Sequence, residues 1–156
     1  FDETVPSGGI YGHREQTLIV DLQNRVENYQ AHMEAIDVRK SAAELRAIWA
    51  LGNEYLQAAE PWAVFKSDPE AAAAIIRLSL NLIALYGQLS APFIPDAADA
   101  MRAAMGLPDL NWPDSIETAL ESCKAGDTFT VPENLFAKIT DEQREQWSER
   151  FSGLRD

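Results

Sequence analysis

The chain is poor in the residues from which small catalytic and metal centres are built: of 156 residues, one is cysteine and two are histidine. Cys123 has no partner for an internal disulfide, and no Cys/His spacing matches a zinc site. His13 and His32 stand far apart and Cys123 has no histidine near it in the chain. No catalytic and no metal-ligating residue is therefore assigned. Phosphate loops of the GxxxxGK(S/T) or GxGxxG kind are missing, and no segment alternates as a strand. Basic residues are scarce, 13 against 25 acidic ones for a formal charge of −12. That balance excludes generic, charge-driven adhesion to nucleic acid or anionic membrane, so any nucleic-acid contact must be local and specific. The longest apolar run, around residues 71–85, is broken by Arg77, Ser79 and Asn81. It falls short of the ~18 uninterrupted apolar residues of a span, and no transmembrane helix is expected. Phe1–Gly12 has neither a basic nor an apolar stretch of the signal-peptide kind. The chain reads like the middle of a longer one, and a lone thiol fits a reducing cytoplasm.

What is there is a core. Hydrophobic residues make up 46% of the chain, with 8 Gly and 8 Pro, enough for one globular domain. Leu18, Leu22 and Val26 set a helical period after Gly12, predicting a helix over about 13–35. A second helix, about 38–60, carries Ala42, Leu45, Trp49, Gly52 and Leu56 as one stripe and stops at Pro61. On that stripe Trp49 is expected to be buried, whereas Trp62, at the break, is expected to be at least partly exposed. Asp68-Pro69 is a capped start for a third helix to about Ser90, apolar nearly all round and so central. Two shorter helices are predicted over 96–105 and about 114–124, separated by the turn-rich residues 106–109. Residues 126–139 lack helical period, and Thr140-Asp141-Glu142-Gln143 has the form of a capping box opening a last short helix. The prediction is an all-α, up-and-down helical bundle with an irregular C-terminal arm. Residues 1–12 form a linker from a missing N-terminal region, 13–125 the bundle, and 126–156 the arm and last helix.

The informative stretch runs from Gly52 to Lys66. Asn53 and Tyr55 ride the last turns of a helix, Pro61 stops it, and Trp62 is presented at the break with Lys66 one turn later. Such a Trp can offer a flat face to an unstacked base, worth ~1–3 kcal/mol, while an amide beside it reads a base edge. The plainer reading is a Trp that lids the core and an Asn that ties down a loop. Arg46, seven residues before Asn53 and on roughly the same helix face, and Lys66 supply local positive charge.

The run Asn53-x-Tyr55-Leu56-x4-Pro61-Trp62-x3-Lys66 resembles the signature of the anticodon-binding bundle in class I aminoacyl-tRNA synthetases of the methionine, isoleucine, leucine, valine and cysteine group. Leu85-x3-Leu89-x2-Pro92-x2-Pro95 and the arm Leu135-Phe136-x-Lys138-Ile139 are similar to the bacterial methionyl type, with Ala137 where that family usually has proline. The resemblance implies that Trp62 stacks on the methionine anticodon, with Pro61 its rigid neighbour and Asn53 an amide reader. It implies binding of methionine tRNA by the C-terminal part of a methionine–tRNA ligase. The parent's N-terminal catalytic domain, which uses ATP and Mg, would lie before Phe1; its HIGH and KMSKS motifs do not occur here. The arm would fold back toward that domain. The rival readings are an Ile-, Val-, Leu- or Cys-type anticodon domain and an acidic helical protein-interaction module.

Overall fold

The computed structural model describes residues 2–108, 112–132 and 134–153; Phe1, residue 109 of the expected turn, and residues 133 and 154–156 of the expected arm and last helix lie outside them. The chain is helical, in the order α1 (His13–Glu34), α2 (Val38–Ala59), α3 (Pro61–Val64), α4 (Pro69–Ser90), α5 (Pro95–Ala104), α6 (Ile116–Ala119) and α7 (Asp141–Phe151). Among the described residues there is no strand, only an isolated antiparallel bridge between Thr4 and Thr128.

The starts obey local chemistry. Asp68 Oδ1 accepts from the Ala71 amide at 3.0 Å, with Pro69 in the first turn where no N–H is needed. Thr140 and Gln143 form the reciprocal box, at 3.2 and 3.0 Å. Packing does the rest. α1 lies along α2, and α4 touches α2, α3, α5 and α6. α4 is therefore the centre of the bundle. It is also long and apolar enough, by length and composition, to cross a membrane, contrary to the expectation from its polar interruptions; 67% of that window, however, is buried inside the bundle. Leu78, Leu85 and Leu89 are fully enclosed, each such burial favouring the fold by ~1.5–3 kcal/mol.

Three expectations need correction. The buried face of α2 is Ser41, Leu45, Ile48, Gly52, Tyr55 and Ala59, as regular an alternation of three and four as the expected stripe, with which it shares Leu45 and Gly52. Trp49 and Leu56 sit half-buried on its flank, because the Ile48 side carries Tyr55, whose hydroxyl bonds to buried Glu15 of α1 and turns that side inward. The helix expected over 114–124 shrinks to Ile116–Ala119. Asn81, buried on α4, captures the chain beyond it: its Oδ1 accepts from the Cys123 amide at 2.8 Å and its Nδ2 donates to the Cys123 carbonyl at 3.0 Å. These bonds replace those that a longer helix would make.

Residues 2–12, read as a linker, are fastened to the bundle over much of their length. The Arg77 guanidinium donates to the carbonyls of Pro6 and Gly8 at 3.1 and 2.8 Å and stands 5.8 Å from the Tyr11 ring centroid. Val5 exchanges backbone bonds with Asp127 and Gly126 and is buried against Leu80, Met105 and Cys123.

Candidate nucleic-acid interface

α2 and α3 are joined by one residue. Glu60 adopts the left-handed conformation, φ 45° and ψ 56°, and its amide closes α2 onto the Leu56 carbonyl at 3.1 Å. Its own carbonyl accepts from Ala63 and Val64, starting the next turn at once. A left-handed non-glycine residue costs ~1–2 kcal/mol, so the corner is held by its surroundings. Pro61 is buried, and Val64 packs on the main core. The Val64 carbonyl then accepts from Ser67 and Asp68, and Asp68 caps α4. From Leu56 to Ala71 the turn is hydrogen-bonded almost continuously, a rigid mount.

On this mount the outward side chains are Trp62, 59% exposed, and Phe65, 49% exposed. Together with Pro61 and Ile76 they line an apolar depression of about 430 Å³. Trp62 is thus presented to solvent on a buried proline, which is not the position of a core lid. Lys66 follows on the same turn, exposed. Asn53 is exposed on α2, eight residues before Pro61 or ~12 Å along the helix, and Arg46 is exposed two turns earlier on that face. Among the described residues, neither Arg46 nor Lys66 has an ion-pair partner. The structure therefore brings Pro61, Trp62 and Lys66 together at α3 and just after it, and sets Asn53 and Arg46 apart from them on α2, before the corner.

Tyr55, within the same signature, points the other way. Its hydroxyl donates to buried Glu15 Oε1 at 3.0 Å, while Glu15 Oε2 accepts from the Gly12 amide at 2.8 Å. Burial, with the Glu15 charge beside it, pushes the Tyr55 hydroxyl well above its ordinary pKa, so it remains the donor. Gly52 is the residue that sequence reasoning left without a role. A Cβ there would fall on the Tyr86 hydroxyl, which donates toward the Ile48 carbonyl at 3.4 Å. Burial pushes that hydroxyl up to about 12. A glycine in mid-helix, unfavourable by ~1 kcal/mol, was the available signal that another element approaches there.

The family model for the anticodon binding domain of methionyl tRNA ligase matches residues 5–156. The chain belongs to that family. It is 62% identical to the methionine–tRNA ligase of Ruegeria sp. (strain TM1040) and 59% identical to that of Paracoccus denitrificans (strain Pd 1222), each over 99% of this chain. It spans 27% of the length of either relative. A crystal structure of the apo form of Mycobacterium tuberculosis methionyl-tRNA synthetase superposes with a TM-score of 0.70 at 18% identity, over 89% of this chain and 28% of that one. At that identity the likeness speaks for the anticodon-binding domain's fold alone. The helical architecture expected from periodicity is thereby met.

Proposed function

We propose that this chain reads the anticodon of methionine tRNA for a parent methionine–tRNA ligase, which activates methionine with ATP and Mg and esterifies it to that tRNA. The observation that carries the proposal is Trp62 held 59% exposed on the buried Pro61. Anticodon bases splay out of their loop and offer a face and a pairing edge. Trp62 supplies the platform for one face, and Asn53, exposed along α2, an amide for an edge. Arg46 and Lys66 meet phosphates locally, which lets a chain of charge −12 hold one end of an RNA without a basic surface. ATP and Mg belong to the parent's N-terminal catalytic domain. That domain also covers the apolar side chains of the C-terminal arm, where Leu135, Phe136 and Ile139 are 38, 65 and 57% exposed. The setting is the cytoplasm.

Mutation of Trp62 in the full-length parent separates the two halves of the work. Trp62→Ala leaves methionine activation, followed by ATP–pyrophosphate exchange, at the wild-type rate. Charging of methionine tRNA falls roughly 5- to 150-fold, the worth of one stacking contact of ~1–3 kcal/mol. Asn53→Ala moves the same way by less. Equal losses in exchange and charging would mean that Trp62 supports the fold and reads nothing.

A further inference from the structure

The solvent side of α2 is one polar stripe. Arg39, Ala43, Arg46, Ala50, Asn53 and Gln57 recur at alternating steps of four and three, all of them exposed and none of them acidic. The two acids of α2 lie off the stripe, Glu54 exposed and Glu44 bridged to Arg25 of α1 at 3.0 Å. In a chain with 25 acidic and 13 basic residues, this face reverses the charge balance locally. Its polar groups are also unspent. On α1 the exposed side chains bond to one another, Gln23 to Glu27 at 2.6 Å and Gln30 to Glu34 at 3.0 Å. Arg39 and Arg46 have no hydrogen-bond or ion-pair partner among the described residues. Seven residues set them ~10 Å apart along the axis, and the stripe between them holds only Ala43, so nothing bulky keeps an anionic strand from lying against the helix.

Arg39 stands ~21 Å along α2 from Asn53. One strand of a duplex advances ~3.4 Å per phosphate, so that span covers about six nucleotides, more than an anticodon triplet. An RNA read at Trp62 and Asn53 continues beyond the triplet into its paired stem, and the stem's phosphates are the anions that match an unpaired guanidinium there. The stripe ends at Arg39. The next residue, Lys40, is taken by Asp37 at 2.9 Å, and Glu34 is exposed at the turn into α1, which leaves that turn itself outside the contact.

Resting on the anticodon reading, we infer that the solvent stripe of α2 is a backbone track on which Arg39 binds a phosphate of the anticodon stem and Arg46 one nearer the loop. Arg39 carries no base preference; it fixes the register and orientation in which the loop arrives at Asn53 and Trp62.

The test uses the full-length parent enzyme and fluorescently labelled transcripts of methionine tRNA, with affinity followed by anisotropy over a range of KCl concentrations. Arg39→Ala weakens binding roughly two- to fivefold, the worth of an exposed charge pair, and lowers the slope of log affinity against log salt by about 0.9, one phosphate contact fewer. Arg39→Glu weakens binding further through repulsion. Arg39→Lys restores affinity and slope, since a phosphate accepts a point charge. Pyrophosphate exchange and the Tm of the free enzyme stay at wild-type values. Exchanging base pairs within the stem leaves the effect of Arg39→Ala intact, and a neutral methylphosphonate at the contacted stem phosphate removes it. An unchanged salt slope in Arg39→Glu, a loss that Arg39→Lys fails to restore, or an effect removed only by neutral phosphates in the loop would each overturn the stem contact. Charging by Trp62→Ala, measured beside them, tells the two failures apart. If it falls while Arg39→Glu binds and responds to salt as the wild type does, only the stem contact is lost. If Trp62→Ala charges normally, the anticodon reading fails whatever Arg39→Glu shows.

Discussion

The two ends of the chain look alike in sequence, short of helical period and punctuated by glycine and proline, and the fold treats them oppositely. At the N-terminal end, residues 4–9 are fastened to α4 and to residues 126–129. Arg77 holds the carbonyls of Pro6, Gly8 and Gly9, and Glu70 Oε2 accepts from the Gly9 amide at 2.9 Å. Gly8 and Gly9 take φ of 96° and 63° and press on Glu70, where a side chain would collide. At the C-terminal end, every described residue over 130–153 is exposed, Trp147 and Phe151 included. The difference lies in the partner. In the first case Arg77 of α4 binds the backbone of residues 6–9 and Asn81, one turn on, holds Cys123 near the residues that pair with Val5; in the second, the apolar side chains stay exposed among the described residues.

That contrast can be broken by mutation, and the largest effect is expected at Asn81. Asn81→Ala strands the buried amide and carbonyl of Cys123 and lowers unfolding free energy by about 3 kcal/mol, read from denaturant midpoints at unchanged m-value. Arg77→Ala comes next. It frees three carbonyls at the surface of the bundle and costs ~1–2 kcal/mol, with faster amide exchange at Val5. Arg77→Lys does not restore it, since one ammonium cannot span carbonyls that a planar fork reaches. Removing residues after Thr130 shifts stability by less than ~0.5 kcal/mol, the scale of surface changes. Phe136→Asp is equally silent in this chain, yet in the full-length parent it destabilises the assembly of the two halves, seen as a lower Tm.

Much of this architecture was legible because helices announce themselves locally. The caps at Asp68 and Thr140, the stop at Pro61 and the all-round apolarity of α4 need no tertiary information. What was hidden depends on partners distant in sequence. Asn81 interrupts an apolar run and looks like a defect until Cys123, 42 residues on, supplies its partner. Trp49 satisfies the helical period as well as Ile48 does, and Gly52 lies on both stripes; what marks the Ile48 side as inward is Tyr55, whose partner Glu15 is 40 residues away. For the candidate interface, the break at Pro61 showed where a side chain would be presented, and a resemblance supplied its role. The left-handed Glu60 that aims it, and Phe65 beside it, carried no signal of their own. Tyr55 was indistinguishable from its reading neighbours, although it serves the core through Glu15.

The central claim is that an acidic bundle meets RNA at one rigid corner. Amide hydrogen exchange of the full-length parent, with and without methionine tRNA, tests it most directly. The account predicts slowed exchange over Trp62–Asp68 and at the exposed face of α2 around Asn53, with no change at the α1–α2 turn near Ile36, an apolar side chain more exposed than Trp62. Protection that fell on the α1–α2 turn and left Trp62–Asp68 exchanging as in the free enzyme would contradict it.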